Sequence, residues 1–223
     1  MGVSGVDDGF PSAQIGTSSE RRGWETDAVT YPSVGAEPPT KGIPDDAAAL
    51  RNVLEALADQ GKQIVLVVHS YGGLVGANAV RGLGYEQRQK EGKAGGIITF
   101  LYLTAFVTPG SYVFADTPEE ILYHDVPSDL QKEAVAAVKH ECVRAWTDEV
   151  DYQPWHDIHC LYFVCEEDRA VPVAVQEQMA QILGPDSIIF WSRSSHSPFL
   201  SAVQDVVDGV EKAAESDQMR VEL

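Results

Sequence analysis

Val68-His69-Ser70-Tyr71-Gly72-Gly73 follows directly on the apolar run Ile64-Val65-Leu66-Val67. A strand that runs into a serine, with glycines and a helix-like segment next, sets the hydroxyl at the apex of a sharp turn, clear of the sheet edge. The usual spacing is Gly-x-Ser-x-Gly. Here Val68 holds the first glycine position and Gly72 the second. A bare Ser-x-Gly would also suit an ordinary strand-to-helix turn. A serine hydroxyl is a weak nucleophile at neutral pH, so it needs a base in hydrogen-bond reach and an acid to orient that base. Two later strand ends offer them. Cys160-Leu161-Tyr162-Phe163-Val164-Cys165 runs into Glu166-Glu167-Asp168, and Ser187-Ile188-Ile189-Phe190-Trp191 leads to Ser194-Ser195-His196. Asp168 is the candidate acid, with Glu166 and Glu167 as rivals and helix capping as its ordinary role. His196 is the candidate base. His69 flanks the serine, but its side chain should point away from the hydroxyl. His124, His140, His156 and His159 have no metal-ligand spacing, and neither a metal nor another cofactor is expected.

These groups meet only if strands deliver them to one edge of a sheet. Pro44-Asp45-Asp46 opens a helix, with acids on the positive end of its dipole. Leu50, Val53, Leu54 and Leu57 recur at helical spacing and Gly61 ends it. The nucleophile strand follows, then a helix from Gly72 to about Arg81. Gly82 to Gly95 reads as a polar connection, and Gly96-Ile97-Ile98-Thr99-Phe100-Leu101-Tyr102-Leu103 as a buried strand. Residues 111–157 read as a small helical cap, with Leu130 to Trp146 its best helix. A helix from Val173 to Leu183 carries Val175, Met179, Ile182 and Leu183 on one side, and Val203, Val206, Val207 and Val210 mark the last helix. Trp24 to Pro32 reads as a short strand running into a loop. Alternating strands and helices imply an α/β fold, a mostly parallel open sheet with helices on both faces.

The chain has 223 residues, enough for one such domain. Its 34 acids against 16 bases give a net charge of −18, which argues against nucleic acid and anionic membranes as partners. No apolar run approaches the roughly 18 residues of a membrane span. The first residues lack the basic and apolar regions of a signal peptide. Cys142, Cys160 and Cys165 show no metal spacing, and a reducing, cytoplasmic compartment is the default expectation.

The chain order Ser70, Asp168, His196 is that of α/β-hydrolases, and the resemblance goes further. Val68-His69-Ser70-Tyr71-Gly72-Gly73, Leu161 to Asp168 and His196-Ser197-Pro198-Phe199-Leu200-Ser201 resemble the small esterases that include plant methylesterases and hydroxynitrile lyases. Tyr152-Gln153-Pro154-Trp155 resembles their approach from cap to strand. The resemblance covers about residues 23–210. It implies an acyl-enzyme at Ser70, proton transfer by His196, orientation of His196 by Asp168, and the Tyr71 backbone N–H as one oxyanion donor.

Three departures stand out. Such enzymes begin with a buried strand and a Gly-rich loop that gives a second oxyanion N–H, and nothing in residues 1–22 matches it. Those residues read as an irregular, atypical segment ahead of the hydrolase domain at 23–223, and the sheet is expected to lack a strand beside the nucleophile strand. A gene-model or splice variant is the expected cause, and losing a donor typically costs about 10²–10³ in turnover. Val68 for glycine and Ser195 in place of a common glycine are milder. The leading expectation is a serine hydrolase of small carboxylic esters, with Tyr102, Phe106, Tyr123, Trp146 and Trp155 as possible pocket residues or simply core. The alternatives are a lyase or lactonase, for which Lys132 and Lys139 are the cap lysines at hand, and an impaired hydrolase-like protein.

Overall fold

A computed structural model of the chain describes residues 2–3, 24–108 and 117–221. Five strands form one parallel sheet in sequence order. They are β1 (Gly2–Val3), β2 (Gln63–His69), β3 (Gly96–Leu103), β4 (His159–Cys165) and β5 (Ile188–Ser192). Residues 64–68 and all of β3 are buried, as expected for parallel strands covered on both faces.

Alternation along β2 splits the core in two. Ile64, Leu66 and Val68 face a cluster with Leu50 and Leu54 of α1 (Ile43–Asp59), Leu74 and Val75 of α2 (Gly72–Ala79) and Met179 of α7 (Val173–Ile182). Val65 and Val67 face a second cluster with Phe199 and Leu200 of α8 (Pro198–Ser201) and Val206, Val210 and Ala213 of α9 (Val203–Val221). Between β3 and β4 stand α4 (Pro118–Ile121), α5 (Ser128–Ala137), α6 (Arg144–Thr147) and a 3₁₀ turn at Pro154–His156. No described helix is long and apolar enough to cross a membrane.

Several expectations need correction. A strand does lie beside β2: Gly2 pairs with Leu66 and Val3 with Val67. Two residues carry no alternating pattern, so nothing in the sequence marked them. Residues 4–22, the rest of the segment read as irregular, lie outside the described residues. Residues 24–30 form no strand, and a turn follows at 32–35. The polar connection after Gly82 contains α3 (Tyr85–Lys90). The single helix expected over 130–146 is two, α5 and α6. On α7 the buried face is Gln176, Met179, Ala180 and Leu183, while Val175 and Ile182 are exposed. Gln176 displaces them because its amide has bonds to make at the end of β4.

Candidate active site

The sheet register sets the geometry. His69 pairs with Leu103, Leu103 with Phe163, and Cys165 with Ser192. The carboxyl ends of β2, β3, β4 and β5 therefore share one edge, where open parallel sheets present their functional loops. Ser70, Thr104, Asp168 and His196 all sit just beyond those ends.

Ser70 has φ 49°, in the left-handed region that costs a non-glycine residue free energy unless the surroundings hold it. Its carbonyl oxygen accepts from Gly73 N–H at 3.1 Å and from Phe106 N–H at 3.0 Å. These two bonds fix the turn between β2 and α2. Gly73 is what lets Phe106 come so close. A Cβ there would lie 2.1 Å from the Phe106 carbonyl oxygen, whereas a Cβ at Gly72 would meet the Tyr31 hydroxyl at 3.2 Å. The sterically critical glycine is thus Gly73 and not Gly72. Gly73→Ala is expected to cost about 3 kcal/mol, because backbone cannot swing aside as a side chain can; the midpoint of urea unfolding measures this. Val68, in place of the first glycine, is accommodated by Gly76, whose missing Cβ would lie 2.9 Å from Val68 Cγ1.

Asp168 is buried and every lone-pair direction it offers is used. Oδ1 accepts from Ala170 N–H at 2.7 Å and Val171 N–H at 2.8 Å. Oδ2 accepts from Thr104 Oγ1 at 2.5 Å and from His196 Nδ1 at 2.7 Å. Burial alone would raise its pKa. The neighbouring His196 and the bonds from His196, Thr104 and Val171 outweigh it, so the carboxyl is held below its usual range. Glu166 and Glu167 are exposed, and Glu167 pairs with Arg193 at 3.3 Å. Gln176 braces the same loop: Oε1 accepts from Cys165 N–H at 2.9 Å, and Nε2 donates to the Cys165 and Val171 carbonyls.

His69, which flanks the serine, packs against the His196 loop and the Phe199 ring. Its Nε2–H donates to the His196 carbonyl oxygen at 2.7 Å, and the two rings lie 4.6 Å apart. Desolvation first, then the charge of His196, hold its pKa down to about 3, so it stays neutral. This bond ties the His196 loop to the residue next to Ser70. The segment between β3 and β4 holds the same loops from the other side. Ser195 N–H donates to Asp125 Oδ2 at 2.8 Å, Ser195 Oγ to the Leu122 carbonyl at 3.1 Å, and Arg169 to the Glu120 carbonyl at 3.1 Å. The hydroxyl of Ser195 explains why a serine suits a position where glycine is common.

The alpha/beta hydrolase family model matches residues 9–209. The chain belongs to the alpha/beta hydrolase family. The match begins upstream of Gly23, so the family likeness extends into the segment that the sequence alone set apart. This hydrolase is 25% identical over 216 aligned residues to an alpha/beta hydrolase, nvfD, of Aspergillus novofumigatus (strain IBT 16806), covering 86% of each chain. Among solved structures it resembles the Arabidopsis methylesterase MES16 (TM-score 0.75, 16% identity, 96% of this chain and 99% of that one). Polyneuridine aldehyde esterase gives the same TM-score at 14% identity over 96% and 98%. A variant of tomato methylketone synthase I gives 0.73 at 15% over 97% and 98%. At such identities these likenesses are of fold.

Of the aromatic candidates, Tyr102 is core, stacked between Phe100 and Tyr162 inside the sheet layer. Tyr123 is buried in the second cluster. Trp146 lies 5.2 Å from the Tyr71 ring and 5.9 Å from the Phe106 ring, so it packs against both. Trp155 packs on the first cluster. Lys132 is 74% exposed and pairs with Asp129, while Lys139 lies along Gly35. The expected lack of a Gly-rich loop and second oxyanion donor concerns residues 1–22, of which 4–22 lie outside the described residues.

Glu141 is half-buried near Asp46 and Tyr71. Burial, then the Asp46 carboxylate, push its pKa up from 4.5 to about 7, against a bond from Trp146. A raised acid makes the folded state hold a proton that the unfolded chain releases. Stability should therefore fall as pH rises from about 4.5 to about 7, by up to about 1.4 kcal/mol per pH unit. Glu141→Gln is expected to flatten that slope in chemical unfolding run across this range.

Proposed function

We propose that this hydrolase cleaves small carboxylic esters through an acyl-enzyme on Ser70. His196 Nε2 takes the Ser70 Oγ proton as Oγ attacks the ester carbonyl. The oxyanion so formed is met by the backbone N–H of Tyr71 at the start of α2. Collapse of the tetrahedral species breaks the bond to the alkoxy oxygen, and His196 returns the proton to the departing alcohol. Water, deprotonated by His196, then attacks the acyl carbon and frees Ser70. Asp168 holds His196 in the tautomer that leaves Nε2 able to accept.

The observation that carries this reading is the 2.7 Å bond from His196 Nδ1 to Asp168 Oδ2, in a buried pair at the sheet edge where Ser70 holds its left-handed φ. Two further supports are the bond from His69 to the His196 carbonyl and the names of fold neighbours, a methylesterase and polyneuridine aldehyde esterase. Phe106 and Trp146 are proposed to border the acyl or alcohol side of the substrate. A lyase using a cap lysine gains nothing from the exposed Lys132. We divide the chain into a hydrolase domain over 23–223 with a cap at about 111–157, acting on a small-molecule ester. A cytoplasmic setting belongs to the same proposal and is supported by three free, buried cysteines.

The test is rapid mixing of the purified protein with activated aryl esters of increasing acyl length. A burst of phenolate equal to one equivalent, followed by slower turnover, is expected, with short acyl chains favoured. Linear release with no burst and no dependence on acyl length would count against an acyl-enzyme.

A further inference from the structure

Asp46 is fully buried in the first turn of α1, yet it does not cap that helix. The capping task falls to Asp45, whose Oδ2 accepts from Gly42 N–H at 3.1 Å. Asp46 turns inward. Its Oδ1 accepts from Ser33 N–H at 2.8 Å, and its Oδ2 from Ser33 Oγ at 2.6 Å and from the Tyr71 hydroxyl at 2.8 Å. A buried carboxylate is costly unless donors surround it, and removing one partner of such a set strongly destabilises the rest. A tyrosine that merely filled space at position 71 would not need that arrangement, since Tyr31 and Trp146 already pack against its ring at 6.1 and 5.2 Å.

The position of Tyr71 gives the tether its meaning. Tyr71 follows Ser70 directly and precedes the first residue of α2, with φ −51° and ψ −32°. The orientation of its N–H is set by the Ser70–Tyr71 peptide plane, and Ser70 is the strained residue of the turn. Strain of this kind persists only where the surroundings over-determine it. The Ser70 carbonyl is held by Gly73 and Phe106, which fixes one side of the peptide. The other side is Tyr71 itself, whose phenol is bound to a different helix.

We propose that Asp46 is a positioning residue for ester hydrolysis, which through the Tyr71 hydroxyl holds the Tyr71 backbone N–H in the direction needed to meet the oxyanion. The inference rests on the acyl-enzyme reading above. It also assigns the Tyr71 side chain a mechanical role and keeps it out of the substrate pocket. Asp46 touches no reacting atom, so its effect should appear in the transition state and not in substrate binding.

Tyr71→Phe removes the tether and keeps the ring packing and both Ser33 bonds. It should lower kcat for a short ester by about 10-fold, less than the 10²–10³ for loss of a whole oxyanion donor, with KM within about twofold. Asp46→Ala should do at least as much, and Asp46→Asn, which keeps an acceptor oxygen, should recover part of the loss. The deciding readout is the ratio of turnover of an ester to that of its thionoester. Sulfur is a poorer hydrogen-bond acceptor, so a misdirected N–H hurts the oxygen substrate more and the ratio should fall in Tyr71→Phe. A loss of folded protein lowers both rates alike and leaves the ratio unchanged. An unchanged ratio in a folded Tyr71→Phe protein that still reacts with a fluorophosphonate at Ser70 overturns the positioning role alone. A wild-type protein that fails to react at Ser70 overturns the underlying reading, and the positioning role with it.

Discussion

Ser70→Ala is expected to lower kcat for ester hydrolysis by about 10⁶, the scale seen when the nucleophile of a serine hydrolase is deleted. The fold should survive the change. Alanine keeps the Cβ that Ser70 already carries at φ 49°, so the turn is no more strained than before. The bonds that hold it, from Gly73 and Phe106 N–H, reach the backbone carbonyl of residue 70 and not its hydroxyl. Unfolding midpoints of the two proteins should therefore agree closely while their turnover does not. Steady-state hydrolysis of a short aryl ester, with the variant purified free of host esterase, measures the difference. Turnover within tenfold of the wild type would mean that some other group attacks the carbonyl.

Asp168→Asn is expected to lower kcat by about 10⁴, and the hydrogen bonds say why. An asparagine must place its NH₂ where one of the two carboxylate oxygens was. The Oδ1 side faces the backbone N–H groups of Ala170 and Val171, which cannot turn round, so an NH₂ there would set donor against donors. The amide is driven to put its NH₂ on the Oδ2 side, facing Thr104 Oγ1 and His196 Nδ1. The threonine hydroxyl can rotate to accept. The imidazole can accept only by moving its proton to Nε2, and a protonated Nε2 cannot take the proton of Ser70. The variant should bind substrate with near-normal KM and fail in acylation. A loss below tenfold would show that the side chain of residue 168 does not select the tautomer of His196.

Much of this arrangement is readable from residue order because it rests on periodic signals. Four strands and the main helices announce themselves through apolar runs and helical spacing, and the loops that follow β2, β4 and β5 bring Ser70, Asp168 and His196 to one sheet edge. What escaped has no periodic signature. Thr104 holds Asp168 through its hydroxyl from a backbone with φ 38°, and a β-branched residue gives no warning of a left-handed conformation. Gln176 leaves no such signal either, because Val175 and Ile182, apolar residues of α7 at helical spacing, lie on its exposed side. Asp46 did leave a trace: it stands four residues before Leu50 and eight before Leu54, on the buried stripe of α1, so an acid read as a partner of the helix dipole was already in line with the core. The Gly-x-Ser-x-Gly spacing marks Gly72 but says nothing of Gly73, which Phe106, distant in sequence, crowds more tightly. Residues Gly2–Val3 were too short to be seen as a strand, yet they occupy the place beside β2.

The most direct test of the account is to treat the intact protein with a fluorophosphonate and locate the adduct by mass spectrometry. One adduct, on Ser70, with labelling suppressed in the Asp168→Asn protein, is the predicted result. A folded protein that takes no label, or takes it on another residue, would contradict the assignment of Ser70 as a nucleophile activated by His196.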